Sequence, residues 1–122
     1  MHGRVLIADD EPNIVVSLEF LMQQAGYETR AVSDGEAALR ACREFRPHLV
    51  LLDIMLPRRN GFEVCQMIRE SPELRAVKIV MLTAKGRETE IARGMAAGAD
   101  AYVTKPFATQ DLVKTVQRLL EQ

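Results

Sequence analysis

Cysteine, histidine, surplus charge and long apolar runs are all scarce in this chain. The two cysteines, Cys42 and Cys65, form no CxxC pair and no disulfide framework. They read as reduced core thiols of a cytoplasmic protein. The two histidines, His2 and His48, stand alone with no partner pattern, so neither is read as a phosphorylated group. No stretch approaches the ~18 apolar residues of a membrane helix, and Met1–Arg4 carries no signal-peptide pattern. A cytoplasmic location without membrane association is therefore expected. Sixteen Lys and Arg against 17 Asp and Glu leave a formal net charge of −1. A free-standing nucleic-acid binder is usually plainly basic, and a disordered acidic tail is plainly acidic; neither class fits. There is no internal repeat, low-complexity stretch or linker, so residues 1–122 read as one domain. It is either a complete small protein or a domain of a longer one.

The chain is 48% hydrophobic over 122 residues, enough to bury roughly two-thirds of its unfolded surface without staples. Its apolar residues alternate between two patterns. Val5–Ala8, Leu49–Leu52, Val77–Leu82 and Ala101–Thr104 are short continuous runs, and Tyr27–Val32 is a more polar run suited to a sheet edge. Between them, apolar residues recur at helical spacing: Ile14, Val15, Leu18, Leu21 and Met22; Ala38, Leu39, Cys42 and Phe45; Val64, Cys65 and Ile68; a segment from about Arg87 to Ala97; and Leu112, Val113, Val116, Leu119 and Leu120. Pro12 suits a first helical turn, Gly26 a helix stop, and Ser33-Asp34-Gly35-Glu36 has the form of a capping box. Five βα units imply an α/β fold with a parallel sheet covered on both faces.

In an open parallel sheet, ligands bind beyond the carboxyl ends of the strands. Those ends carry Asp9 and Asp10 (first strand), Asp53 (third), Thr83 (fourth) and Lys105 (fifth). Two carboxylates ~4 Å apart at an effective dielectric of ~20 repel by about 4 kcal/mol, which a proton or a cation relieves. An all-oxygen donor set favours Mg²⁺ over zinc or copper. Asp10 and Asp53 as direct ligands, with Asp9 acting through water, would suffice. A metal beside one exposed carboxylate, with a lysine and a threonine opposite, is the arrangement of a phosphoryl site. Asp53 would be the nucleophile, already deprotonated and needing no base.

The sequence resembles the receiver domain of bacterial two-component response regulators. The matching pieces are Leu6-Ile7-Ala8-Asp9-Asp10-Glu11, Leu51-Leu52-Asp53-Ile54-Met55-Leu56-Pro57, Asn60-Gly61, Val80-Met81-Leu82-Thr83-Ala84, Gly98-Ala99-Asp100-Ala101-Tyr102 and Thr104-Lys105-Pro106-Phe107, in family order over essentially the whole chain. The resemblance implies a flavodoxin-like, doubly wound (βα)5 fold of five parallel strands in the order 2-1-3-4-5. It implies that Asp53 accepts phosphate from a sensor histidine kinase or phosphotransfer protein. Asp10, Asp53 and the Met55 backbone carbonyl would then ligate Mg²⁺, with Asp9 acting through water. Thr83 would hydrogen-bond the phosphoryl group and Lys105 would pair with it. Tyr102 would swing inward as Thr83 moves, and the Lys105–Pro106 peptide bond would be cis. Met55 and Lys85 would line the approach of water. Output would be a change in what the face formed by the fourth helix, fifth strand and fifth helix binds, whether a downstream domain or a separate protein. Such a domain is not an enzyme: it transfers phosphate only to itself and dephosphorylates itself.

Some positions depart from the family's winged-helix transcription class. Ala101 and Thr115 stand where an acid and an arginine help form its activated dimer, although Asp111 is present. This weighs against that dimer and leaves another homodimer open. Arg58-Arg59, after Asp53, reads as a solvated turn, with contact to a kinase as the alternative. Two other function classes compete. A receiver-like module that works by binding alone would suit a chain lacking Asp53 or Lys105, and both are present. A Mg²⁺-dependent phosphohydrolase needs a second carboxylate two residues after the nucleophile, where this chain has Met55.

Overall fold

The computed structural model describes residues 3–84 and 89–121. His2, Lys85 and the expected helix start at Arg87 lie outside these residues. Strands β1 (Arg4–Ala8), β2 (Glu28–Val32), β3 (Leu49–Asp53), β4 (Lys78–Ala84) and β5 (Ala101–Lys105) alternate with helices α1 (Pro12–Gln24), α2 (Gly35–Glu44), α3 (Gly61–Glu70), α4 (Thr89–Ala97) and α5 (Thr109–Leu120). A short 3-10 turn, Pro72–Leu74, follows α3 and had no counterpart in the sequence reading. The strands form one parallel sheet in the order β2-β1-β3-β4-β5, as expected. The more polar run does lie at an edge, as β2.

Strand periodicity explains the two layers. Successive side chains of a strand point to opposite faces. Val5, Ile7, Leu49, Leu51, Val80 and Leu82 thus share one face with Leu18 and Met22 of α1 and Leu112, Val116 and Leu119 of α5. Leu6, Ala8, Val50, Leu52, Ile79 and Met81 share the other with Ala38, Leu39 and Cys42 of α2 and Val64, Cys65 and Ile68 of α3. All five residues of β3 are buried, as expected of a strand covered on both sides. No helix of the described residues is long and apolar enough to cross a membrane.

One local expectation fails. The capping box read at Ser33–Glu36 is absent: Asp34 is the N-cap of α2 and accepts a 2.7 Å hydrogen bond from the Ala37 amide. The helix starts one residue later because the Gly35 amide donates to the Pro57 carbonyl, and a Cβ at Gly35 would collide with the Arg59 carbonyl oxygen. Glu36 turns to Arg59 instead, with Nε to Oε1 at 2.7 Å. Arg59 thereby gains a tie to α2, while its neighbour Arg58 is 73% exposed, as a solvated turn would have it. The capping box belongs to α3, where Asn60 and Glu63 exchange side-chain and backbone bonds.

Arg69 of α3 clamps the opposite end of the sheet from the acidic strand ends. It donates to the carbonyls of Gly98 (2.8 Å), Val77 (2.6 Å) and Arg75 (3.0 Å) and to Asp100 Oδ2 (2.8 Å). Asp100 also accepts from the Ile79 amide at 2.8 Å, joining α3, β4 and the α4–β5 turn.

Burial pushes the Cys42 and Cys65 thiols up to about 11, against the opposing charges of Arg43 and Arg69. Native protein near pH 7.5 should therefore resist a disulfide-exchange reagent and expose both thiols only on denaturation; rapid labelling of a native thiol would contradict this packing. The unfolded chain sheds each proton near ~8.5. The thiols' contribution to stability is thus complete below that value and is lost as pH rises through about 11. The urea midpoint should fall over that window, and less steeply in a Cys42→Ala/Cys65→Ala variant.

Candidate functional site

Parallel strands of similar register bring their polar last residues to one rim. Ala8 pairs with Leu52, Asp53 with Leu82, and Ala84 with Lys105, so the ends of β1, β3, β4 and β5 meet. A cleft of about 280 Å³ lies there, lined by Asp10, Glu11, Asp53, Met55, Thr83 and Lys105 among others. Asp9 is 1% exposed and Asp53 5%, while Asp10 is exposed.

Buried carboxylates need donors. The Glu11 amide donates to Asp9 Oδ1 at 2.9 Å, and the Met55 amide to Asp53 Oδ1 at 3.0 Å. Each acid is thus held by the backbone two residues ahead, the Asx-turn pattern. Lys105 supplies the charge. Its Nζ lies 2.7 Å from Asp9 Oδ2, 3.0 Å from Glu11 Oε1 and 3.5 Å from Asp53 Oδ2. Burial raises the Asp53 carboxyl above its ordinary value, while the Met55 amide and Lys105 hold it down in part. For Lys105, burial works against the ammonium, but Asp9, Glu11 and Asp53 outweigh it and hold its pKa above the usual lysine value.

Thr83 is 2% exposed, and its hydroxyl has no hydrogen-bond partner among the described residues. A buried hydroxyl without a partner costs roughly 1–3 kcal/mol. This one lines the same cleft as Asp53 and Lys105.

The donor set fits a hard divalent cation. Carboxylate oxygens of Asp9, Asp10 and Asp53 lie within 4.8 Å of one another, with no histidine or cysteine in the group. Asp9 Oδ2 and Asp53 Oδ2 both face Lys105, Asp9 the more closely, while Asp10 is exposed at the rim. Met55 reaches the site by its amide, and its side chain is 55% exposed at the mouth. Tyr102, in β5, is 47% exposed and does not line this cleft. The Lys105–Pro106 peptide bond is cis.

The sequence reading left out Glu11 as a partner of Lys105. The available signal was its place just before Pro12, the N-cap position, where Ser, Thr, Asp or Asn is usual. Its side chain makes no cap bond and goes to Lys105 instead. Gly61 closes the loop after Asp53: its amide donates to the Ile54 carbonyl, and a Cβ there would lie 2.6 Å from the Asp53 carbonyl oxygen and 2.8 Å from Ile54 Cα. Gly61→Ala must displace the backbone beneath the acid. It should cost about 1–3 kcal/mol, read as a lowered midpoint in chemical denaturation; an unchanged midpoint would show that the loop yields freely.

Residues 5–117 match the family described as response regulator receiver domain. The chain is 43% identical over its full length to the DNA-binding response regulator MtrA of Mycolicibacterium smegmatis and spans about half of that relative, 52%. Among solved structures, it superposes with a TM-score of 0.96 and 34% identity on a protein described as a response regulator from Chloroflexus aurantiacus, covering all of both chains. It also superposes with a TM-score of 0.91 and 28% identity on the receiver domain of sensor histidine kinase PA1611 of Pseudomonas aeruginosa, again over both whole chains. That structure has a magnesium ion coordinated in its active-site cleft.

Proposed function

This chain belongs to the response regulator receiver domain family of two-component signalling, and we propose that residues 1–122 act as one receiver domain phosphorylated on Asp53. The donor is the phosphohistidine of a sensor histidine kinase or phosphotransfer protein. An Asp53 carboxylate oxygen attacks phosphorus, the P–N bond breaks, and the imidazole leaves and takes up a proton. The product is an acyl phosphate, later hydrolysed within the domain itself, so the chain turns over no separate substrate.

Receiver domains bind Mg²⁺ at an acidic site, and the Asp9–Asp10–Asp53 group is of that kind. Asp10, Asp53 and the Met55 carbonyl would hold the ion, with Asp9 acting through water. The ion supplies positive charge that offsets the crowding of phosphoryl and carboxylate oxygens. Lys105 supplies the second positive charge. The observation that carries this reading is Thr83: a buried hydroxyl with no hydrogen-bond partner among the described residues lies in the cleft that the new oxygens would occupy.

Phosphorylation adds about −1.5 to −2 charge and three acceptor oxygens. Thr83 and Lys105 belong to β4 and β5, so their new bonds bias the adjoining α4–β5–α5 face, with Tyr102 as the aromatic that turns inward. Partner choice at that face, by an output domain, a separate protein or a second copy, is the readout.

Incubation with phosphoramidate and Mg²⁺ should add about 80 Da to the intact protein, the mass of one phosphoryl group. The adduct should vanish in Asp53→Ala and under chelation. Absence of any adduct on the unaltered chain would favour a module that works by binding alone. Calorimetry should show Mg²⁺ affinity falling at least tenfold in Asp10→Asn, roughly the loss of a charged metal contact; unchanged affinity would remove Asp10 from contact with the ion.

A further inference from the structure

Lys105 is already engaged before any phosphate arrives, and its partners differ in kind. Asp9 lies on the floor of the site, its side chain fully buried, 2.7 Å from Nζ. Glu11 lies on the rim, its side chain 60% exposed, with Oε1 3.0 Å from the same nitrogen. Asp53, the acid to be modified, is the most distant of the three at 3.5 Å. Phosphorylation places new anionic oxygens on the Asp53 side of this ammonium. Nζ now sits nearer the Asp9 and Glu11 oxygens than the Asp53 oxygen, so a pull toward Asp53 lengthens at least one of the two shorter contacts. The Asp9 carboxylate is buried, and stripping it of its only charged partner among the described residues would be costly. Glu11 can return to water at little cost. Nor is Glu11 held by the start of α1, because its side chain makes no cap bond there.

We propose that Glu11 is a positioning residue that restrains Lys105 in the unphosphorylated state and releases it when Asp53 is modified, so that this rim carboxylate sets how readily the switch is thrown. The inference rests on the reading of Asp53 as phosphoacceptor. It assigns Glu11 a role through Lys105 rather than at the reacting atoms.

The test is a double-mutant cycle using beryllofluoride, a phosphoryl mimic, at saturating Mg²⁺, followed by amide chemical shifts. Glu11→Gln should bind about threefold more tightly than the unaltered chain, in the range supplied by an ion pair with one exposed partner. In a Lys105→Met background the same substitution should change affinity less than about 1.5-fold, because the effect runs through the ammonium. In ligand-free protein, the Lys105 15Nζ resonance should shift in Glu11→Gln, and a Glu11→Asp variant, which keeps the charge, should retain part of the restraint. An equal gain in both backgrounds would reduce Glu11 to general repulsion of an anion and overturn the proposal. Weaker binding by Glu11→Gln would overturn it in favour of a role in assembling the site, as would no change in favour of no role. If the unaltered chain forms no adduct, the phosphoacceptor reading fails and the proposal with it. An adduct that is indifferent to Glu11 defeats the proposal alone.

Discussion

One ammonium shared among crowded carboxylates is the constraint on which the site depends. Asp9 and Asp53 are buried, and two charged acids so near each other are tolerable only with compensation. Two backbone amides and Lys105 provide it. The compensation is incomplete: burial still lifts the Asp53 carboxyl above its ordinary value. A divalent cation is the natural complement to carboxylate oxygens that lie within 4.8 Å of one another.

The fold keeps this crowding in place by separating support from chemistry. Each central strand buries both its faces, so the residues beneath the rim pack against helices on either side. The strand cannot slip without exchanging one apolar face for the other. At the far end, Arg69 ties α3 to the starts of β4 and β5. At the near end, the loop after Asp53 folds back on itself through Gly61 and leans on α2 through Gly35 and the Arg59–Glu36 pair. At the β4 and β5 ends, by contrast, Thr83 has no hydrogen-bond partner among the described residues and Lys105 has an exposed one.

What was legible in the sequence follows from the range of each interaction. Strands and their polar last residues are local patterns, and Asp9, Asp10, Asp53, Thr83 and Lys105 do converge because parallel topology carries strand ends to one rim. The cap of α2 was misread because its start is decided by a remote contact, the approach of Gly35 to Pro57 and Arg59. A local motif cannot report that. Arg69 gave no signal for a similar reason: its acceptors are mostly backbone carbonyls, which every residue carries. Glu11 entered the sequence reading only as the end of the first matching piece, while its partner lies 94 residues away.

The pre-existing partners of Lys105 also bear on the energy available for signalling. A ligand shifts a two-state equilibrium only by the difference between its interactions in the two states. If Lys105 were free, phosphate would gain a whole charge-assisted bond; since it is paired, the gain is the new bond minus the contact given up. Thr83 differs, because its hydroxyl has nothing to give up among the described residues. On the proposed reading the threonine would supply a nearly full hydrogen bond, on the order of 1.5–3 kcal/mol to a charged acceptor, whereas the lysine would supply a smaller increment set by its present company. A shift of that size moves a balanced equilibrium by a factor of roughly ten to a hundred. That is enough to throw a poised switch and too little to rescue one held firmly in its resting state. On the proposed reading the resting contacts of Lys105 would be as much a part of the signal as the bonds that replace them.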